Sequence, residues 1–323
     1  MPCISLRRGV ASLALSLGCV AAAAQTFPSR PIHIVVPFAP GGGTDLLTRV
    51  VAQQMSDEMK QQVVVENKPG AGGALAAAIV AAAPADGYTL YVNSSATAMM
   101  PSLYKNLSFD PIADFAPIAL IGTTPFILIM NNNVPAKSLG EMIALAKAKP
   151  DSLSYGSAGN GSVNHVGMEL FKATAGVQLL HIPYKGSSAA LADVIGGQVT
   201  MMLDTVVSAA QHVKRNSVRA LGISSLRRSA LAPELPTIAE QGVKDFDLTV
   251  WYGFVAPKGV PAAVAQKLNA EVNKALTSAA VRERFAALGA EPSTSSTEDF
   301  GKLIQAEEKR WTRVVQGANI RVN

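Results

Sequence analysis

Cysteine is nearly absent from this chain: Cys3 and Cys19 are the only two in 323 residues. Beyond residue 19, a disulfide framework and a cysteine metal site are therefore excluded. Charge is sparse as well. Only 16% of residues are charged while 49% are hydrophobic, a balance that excludes an intrinsically disordered chain. The net charge is only +5, and no basic stripe interleaved with aromatics occurs, so no nucleic-acid partner is expected. Long apolar runs are missing too. The richest internal one, residues 74–83, is closed by Pro84 and Gly87 and reads as a core helix rather than a membrane span. Repeats and low-complexity linkers are also lacking.

What the N-terminus does have is an ordered leader. Arg7 and Arg8 are followed by an apolar stretch over 10–20 and then by Ala22, Ala23 and Ala24. Charged, apolar and small-residue zones in that order make residues 1–24 a cleavable signal peptide, with Gln25 as the expected mature N-terminus. A buried N-terminal helix is the alternative. Ser16 stands where a lipoprotein signal usually has leucine, so Cys19 is not taken as a lipid anchor. Removing the leader takes away both arginines and lowers the formal charge from +5 to +3. That mild positive bias suits anionic ligands.

Strand-like and helix-like segments alternate almost throughout, which predicts a mostly parallel sheet with helices on both faces. Strands are expected at 32–36, 63–65, 89–92, 153–155, 179–182, 199–203, 218–223 and 248–255. Two further extended segments are expected at 118–121 and 126–130. Helices are expected from 46 onward and at 74–83, 139–149, 164–174, 189–195, 206–214, 262–277, 280–288 and 297–317. The long extended runs near 118–130 and 248–255 suggest two crossings between lobes. The predicted organisation is an α/β chain with one lobe of residues 25–124 plus 250–323 and a second of 125–249. A single continuous sheet is the simpler alternative.

Four strand-to-helix junctions carry the polar chemistry. The first is Gly41, Gly42, Gly43, Thr44 and Asp45. The second is Ser94, Ser95, Ala96 and Thr97. The third runs from Tyr155 through Gly156, Ser157, Ala158, Gly159, Asn160, Gly161 and Ser162 to His165, and the fourth is Pro183, Tyr184, Lys185, Gly186, Ser187 and Ser188. Three consecutive glycines let backbone amides turn toward one point without side-chain interference. A strand that ends in bare amides at a helix N-terminus is a ready anion site. In an α/β sheet, ligands bind outside the carboxyl ends of the strands. Two junctions precede the proposed crossing and two follow it, so they would face each other across a cleft. Hydroxyls and amides suit a carboxylate, and Lys185 adds a positive charge. Each junction taken alone is also what an ordinary turn or helix cap would look like.

Together with Asn67 to Gly73, Pro84 to Leu90 and Trp251-Tyr252-Gly253, these segments stand in an ordered set. In that set the chain resembles the substrate-binding receptors of tripartite tricarboxylate transporters, the Bug family, over essentially its whole mature length. The resemblance implies a periplasmic binding protein of the two-lobed, Venus-flytrap (type II) kind that closes on a carboxylated metabolite. It implies that the Gly41–Asp45 loop and the 156–162 region hold one carboxylate, partly through bound water. Ser94, Ser95 and Thr97 match the family's polar second junction, and Asp204 matches a polar position at the end of a second-lobe strand. The positions that read the far end of the ligand are not assigned by it.

Catalytic readings are weaker. Gly156 directly precedes Ser157, so no Gly-x-Ser-x-Gly elbow exists. Lys185 lacks the Walker glycine pattern, and Leu46 stands where a dinucleotide fingerprint needs a small residue. His165 and Glu169 share a helix face, but His33, His181 and His212 read as structural, and no metal or cofactor is expected. Asp204 is read either as a partner for a ligand amine or as a helix cap. Trp251 and Tyr252 read as core or hinge packing, and Met99-Met100 and Met201-Met202 as core. The expectation is a monomeric, non-enzymatic receptor that hands a small organic acid to membrane subunits. The alternatives are a receptor reporting to a sensor kinase and a secreted serine hydrolase.

Overall fold

The computed structural model describes residues 27–230 and 232–322. The signal-peptide expectation for residues 1–24 lies outside them.

The chain starts with strand β1 (Ile32–Val36), whose β-branched residues are almost all buried. Helix α1 (Gly43–Met59) follows, burying Leu47, Val51 and Met55 at four-residue spacing. Strand β2 (Val63–Asn67), helix α2 (Ala74–Ala81), strand β3 (Thr89–Ser94) and helix α3 (Ser95–Leu103) come next. Strands β1, β2 and β3 pair in parallel. The helix ranges expected from the sequence do not include 95–103. Pro101 sits inside this helix, where it removes an N–H that would bond the Thr97 carbonyl, and such a residue argues against helix locally. Burial of Ala98, Met99 and Met100 overrides it.

The extended segments expected at 118–121 and 126–130 are one strand, β4 (Phe115–Met130), 16 residues long. Helix α4 (Leu139–Ala148), strand β5 (Ser154–Ser157), helix α5 (Val163–Ala175), strand β6 (Leu180–Pro183), helix α6 (Ser187–Gly196), strand β7 (Met201–Thr205), helix α7 (Val206–Lys214) and strand β8 (Arg219–Ile223) follow. Strand β9 (Thr249–Pro257) returns, and helices α8 (Ala262–Thr277) and α9 (Ala279–Leu288), strand β10 (Glu291–Pro292) and helix α10 (Thr297–Gly317) complete the chain.

The strand order is β2-β1-β3-β9-β4-β7-β5-β6, with β8 and β10 also pairing on β4. One lobe is built on β1–β3 and the other on β5–β7. The parallel expectation holds for these two triplets. The strands that join them are antiparallel to their neighbours. Strand β9 pairs with β4 from Phe115 to Pro125, while Phe126–Met130 of the same β4 pairs with β7 and β8. The period-two alternation of β4 buries residues on both faces. Phe126, Leu128 and Met130 join the main core, and Ile127 and Ile129 join a smaller cluster with Leu191, Val194 and Met202. Helix α10 returns to the first lobe and packs on α3. There the Trp251 and Trp311 indoles both donate to Glu307 Oε2, at 3.1 and 3.0 Å. Trp251 is buried there, as a packing residue is.

Candidate functional site

The lobes meet along the strand ends that carry the polar junctions. The Ala39 amide donates to the Lys185 carbonyl at 3.3 Å. The Ser188 hydroxyl donates to the Pro40 carbonyl at 2.9 Å. Tyr104 Oη reaches the Asn160 carbonyl at 2.9 Å. Residues of both lobes also line a cavity of about 30 Å³.

The elements around the cavity share a physical feature. Helix α1 begins after Gly42, α6 after Gly186 and α7 after Thr205, and none of the three has a side-chain cap hydrogen bond. Gly42, Gly43, Ser187 and Thr205 from these starts all line the cavity. Uncapped first-turn amides carry the positive end of the helix dipole. Three such ends aimed at one small volume make it attractive to an anion. Helix α5 adds Val163 and Asn164, although its own N-terminus is capped by Ser162. Among the described residues, no lysine, arginine or histidine lines the cavity.

Of the residues singled out in the sequence, Gly42, Gly43, Thr44, Asp45, Ser94 and Asp204 line this cavity. Asp45 is occupied with the loop itself. Its carboxylate accepts from the Gly41 amide at 3.0 Å, from Arg49 Nε at 3.0 Å and from Asn67 Nδ2 at 3.0 Å. Burial opposes its ionisation, but those donors outweigh it and hold the pKa below the usual carboxylate value. Gly41, exposed, takes part only through that amide.

The others lie beside the cavity. Ser95 Oγ accepts from the Trp251 amide at 3.4 Å, and the Thr97 hydroxyl pairs with Tyr91 at 3.1 Å. In the 157–165 loop, Ser157 Oγ lies 2.7 Å from His181 Nε2 and accepts from the Gly159 amide at 3.1 Å. Ser162 Oγ donates to the Gly159 carbonyl at 2.6 Å. The Gly161 amide donates to His165 Nδ1 at 3.2 Å, which makes that nitrogen an acceptor. Beneath the loop the rings of Tyr155, His181 and His165 stack, with centroids 4.7 and 4.2 Å apart. Burial lowers the pKa of His165, and burial together with His165 lowers that of His181 to about 4. Tyr184 donates to Asp193 Oδ2 at 2.5 Å, and Lys185 is exposed. Lys185 meets the other lobe through its backbone carbonyl, and the residue is exposed and does not line the cavity.

Phe38, Phe126, Asn164, Thr205, Val250 and Tyr252, which the sequence does not single out for the site, complete the lining with Ala158 and Ser187 of the third and fourth junctions. Thr205 stands at an expected helix start, so a search for every strand-to-helix junction reaches it. Tyr252, which reads as packing in the sequence, is fully buried and hydrogen-bonded to Thr44.

A family model described as "Tripartite tricarboxylate transporter family receptor" matches residues 47–320. The chain belongs to that receptor family. The protein BugT of Bordetella pertussis is 37% identical over 91% of this chain and 90% of its own. The solved periplasmic binding protein BugD superposes with a TM-score of 0.88 at 35% identity, covering 91% of this chain and all of its own. The solved Rpa4515 of R. palustris, with adipate, gives 0.88 at 33% identity, covering 92% of this chain and 100% of its own. The solved MatC of Rhodopseudomonas palustris, with bound malate, gives 0.86 at 35%, covering 90% of this chain and 100% of its own. The family is one of solute-binding receptors, and its two-lobed periplasmic binding fold is the fold described above.

Proposed function

We propose that this receptor captures a small organic acid between its lobes outside the cytoplasm and delivers it to the membrane subunits of a tripartite tricarboxylate-type transporter. The observation that carries the reading is the convergence of three uncapped helix N-termini, α1, α6 and α7, on a cavity that no cationic side chain among the described residues lines. Such a site attracts a carboxylate through amides and hydroxyls. Adipate and malate in the two solved relatives support the ligand class. Gly42, Gly43, Thr44, Ser94, Ser187, Thr205 and Asp204 are the residues proposed to meet the ligand, with Asp45 holding the glycine loop in shape. Residues 1–24 direct export, residues 25–124 plus 250–323 form one lobe, and 125–249 form the other.

A cavity of about 30 Å³ is far smaller than the roughly 300 Å³ or more of ordinary small-molecule pockets. The ligand therefore enters with the lobes apart. The hydrolase alternative has one pair in its favour, Ser157 and His181 at 2.7 Å. Ser157 is fully buried and lies outside the cavity lining, so that pair is read as support for the loop.

Thermal-shift screening against dicarboxylates of four to six carbons tests the proposal. A binding acid at a hundred times its Kd stabilises the native state by about 2.7 kcal/mol. A panel with no shift at any concentration, alongside a shift with neutral sugars or amines, would refute the carboxylate reading.

A further inference from the structure

Asp204 ends β7 with its side chain lining the cavity, and it is fully buried. One carboxylate oxygen, Oδ1, accepts from the Thr205 amide at 2.9 Å. The other, Oδ2, is buried with no hydrogen-bond partner of good geometry among the described residues, although the Ser187 and Ser208 hydroxyls lie near the carboxylate. A buried acceptor left unmade is costly and marks a group that is completed by something else.

Among the described residues, the elements packed around Asp204 bring no cationic side chain into the cavity. Helix α1 brings Thr44 and Asp45, and Asp45 is already matched by Arg49. Strand β9 brings Tyr252, whose burial raises its pKa and keeps it a neutral phenol. Helix α6 brings Ser187 and helix α7 Ser208, whose hydroxyls favour the ionised form. Helix α5 brings Asn164, whose Nδ2 is committed to the Leu203 carbonyl at 2.7 Å. Strand β4 brings Phe126 and Ile127, both apolar. A carboxylate drawn in by the helix N-termini thus meets a second carboxylate with an open oxygen. Two buried carboxylates in contact cannot both stay ionised; they hold one proton between them.

We propose that Asp204 receives its ligand as a neutral acid: Oδ2 takes a proton from solvent as the ligand enters and donates it in a hydrogen bond to a ligand carboxylate oxygen. This rests on the carboxylate-receptor reading above. One proton is taken up per ligand bound and returned to solvent on release, and no other bond changes. Burial already pushes the Asp204 pKa up to about 6 in the closed protein, and a ligand carboxylate pushes it further in the same direction. Above pH 6, each bound ligand must bring a proton with it. The affinity then falls by about tenfold per pH unit until the bound pair's own pKa is passed.

The test is calorimetry of the full mature protein with succinate, malate and adipate as probes, in two buffers of different ionisation enthalpy, at several pH values between about 6 and 8.5. The expected result is an uptake approaching one proton per ligand at the alkaline end, with Kd rising across the range. For Asp204→Asn, whose amide is a permanent donor, uptake should vanish and the slope flatten. A probe that binds with buffer-independent heat and a level Kd overturns the shared proton while leaving the receptor reading in place. Failure of all three probes with wild-type protein overturns both. If Asp204→Asn does not fold, the wild-type proton count still decides.

Discussion

The hydroxyl of Tyr104 lies 2.9 Å from the carbonyl oxygen of Asn160 in the opposite lobe, and 3.0 Å from that of Ala71 in its own. Around it the backbones are close. A Cβ on Gly161 would fall 2.3 Å from the same hydroxyl, and one on Gly72 would fall 2.3 Å from the Asn160 oxygen. The contact is a latch between lobes rather than part of either core.

Tyr104→Phe should therefore act on closure and not on folding. The lost hydrogen bond is worth about 0.5–1.5 kcal/mol. Ligand affinity should drop roughly two- to tenfold, with the unliganded protein more open. Small-angle scattering and calorimetry on the same preparation check this. A variant with a lowered melting temperature and an unchanged radius of gyration would show that Tyr104 serves the fold instead.

Asp45 makes an opposite prediction. Its bonds to Gly41, Arg49 and Asn67 tie the glycine loop to β2 and α1. Asp45→Ala should cost folding stability, roughly 1.5–3 kcal/mol for a charge-assisted hydrogen bond lost from a buried site. Because its folded pKa is depressed, the contribution is complete above the unfolded carboxylate value of 3.8 and is lost as pH falls through the folded one. Melting curves of wild type and variant should differ at neutral pH and converge in strong acid.

His181 sets the acid side of the stability profile. Its pKa falls from 6.5 to about 4 on folding, so between those values the unfolded chain binds the extra proton. Stability from this group is full above pH 6.5 and declines as pH drops toward 4. Asp204, with a raised pKa, works in the reverse direction over 3.8 to about 6. The comparison that isolates His181 is thus wild type against His181→Gln, whose melting temperature should fall less on going from pH 7 to about pH 5. Parallel curves would remove His181 from the account.

Much of this site was legible because the chemistry is local. Gly41 to Asp45 follow a β-branched run and precede a helical period, and that is enough to place bare amides at a strand end. What local patterns do not carry is the docking of one lobe on the other. Ser187 and Thr205 look like ordinary caps in sequence, and only the approach of α6 and α7 to Gly42 and Gly43 gives them a shared target. Tyr252 reads as packing because β9 is buried along its length. Its position in the cavity follows from the register that sets it opposite Ser94 and Gly122. Lys185 misled for the converse reason, since a charge near the right junction need not point inward. Helix α3 was hidden by Pro101, a local signal overruled by burial.

The account rests most directly on Gly43. A Cβ there would sit 2.4 Å from Thr205 Oγ1 in the facing lobe, so Gly43→Val should prop the cleft apart and block the amides of α1. Its backbone is helical and needs no glycine for its own sake. The measurement is the affinity of Gly43→Val for whichever dicarboxylate binds the wild type, by calorimetry, with melting curves alongside. The predicted result is a loss of about a hundredfold or more, on the order of 3 kcal/mol, with a melting temperature close to wild type. A variant that folds and binds like the parent would contradict the site.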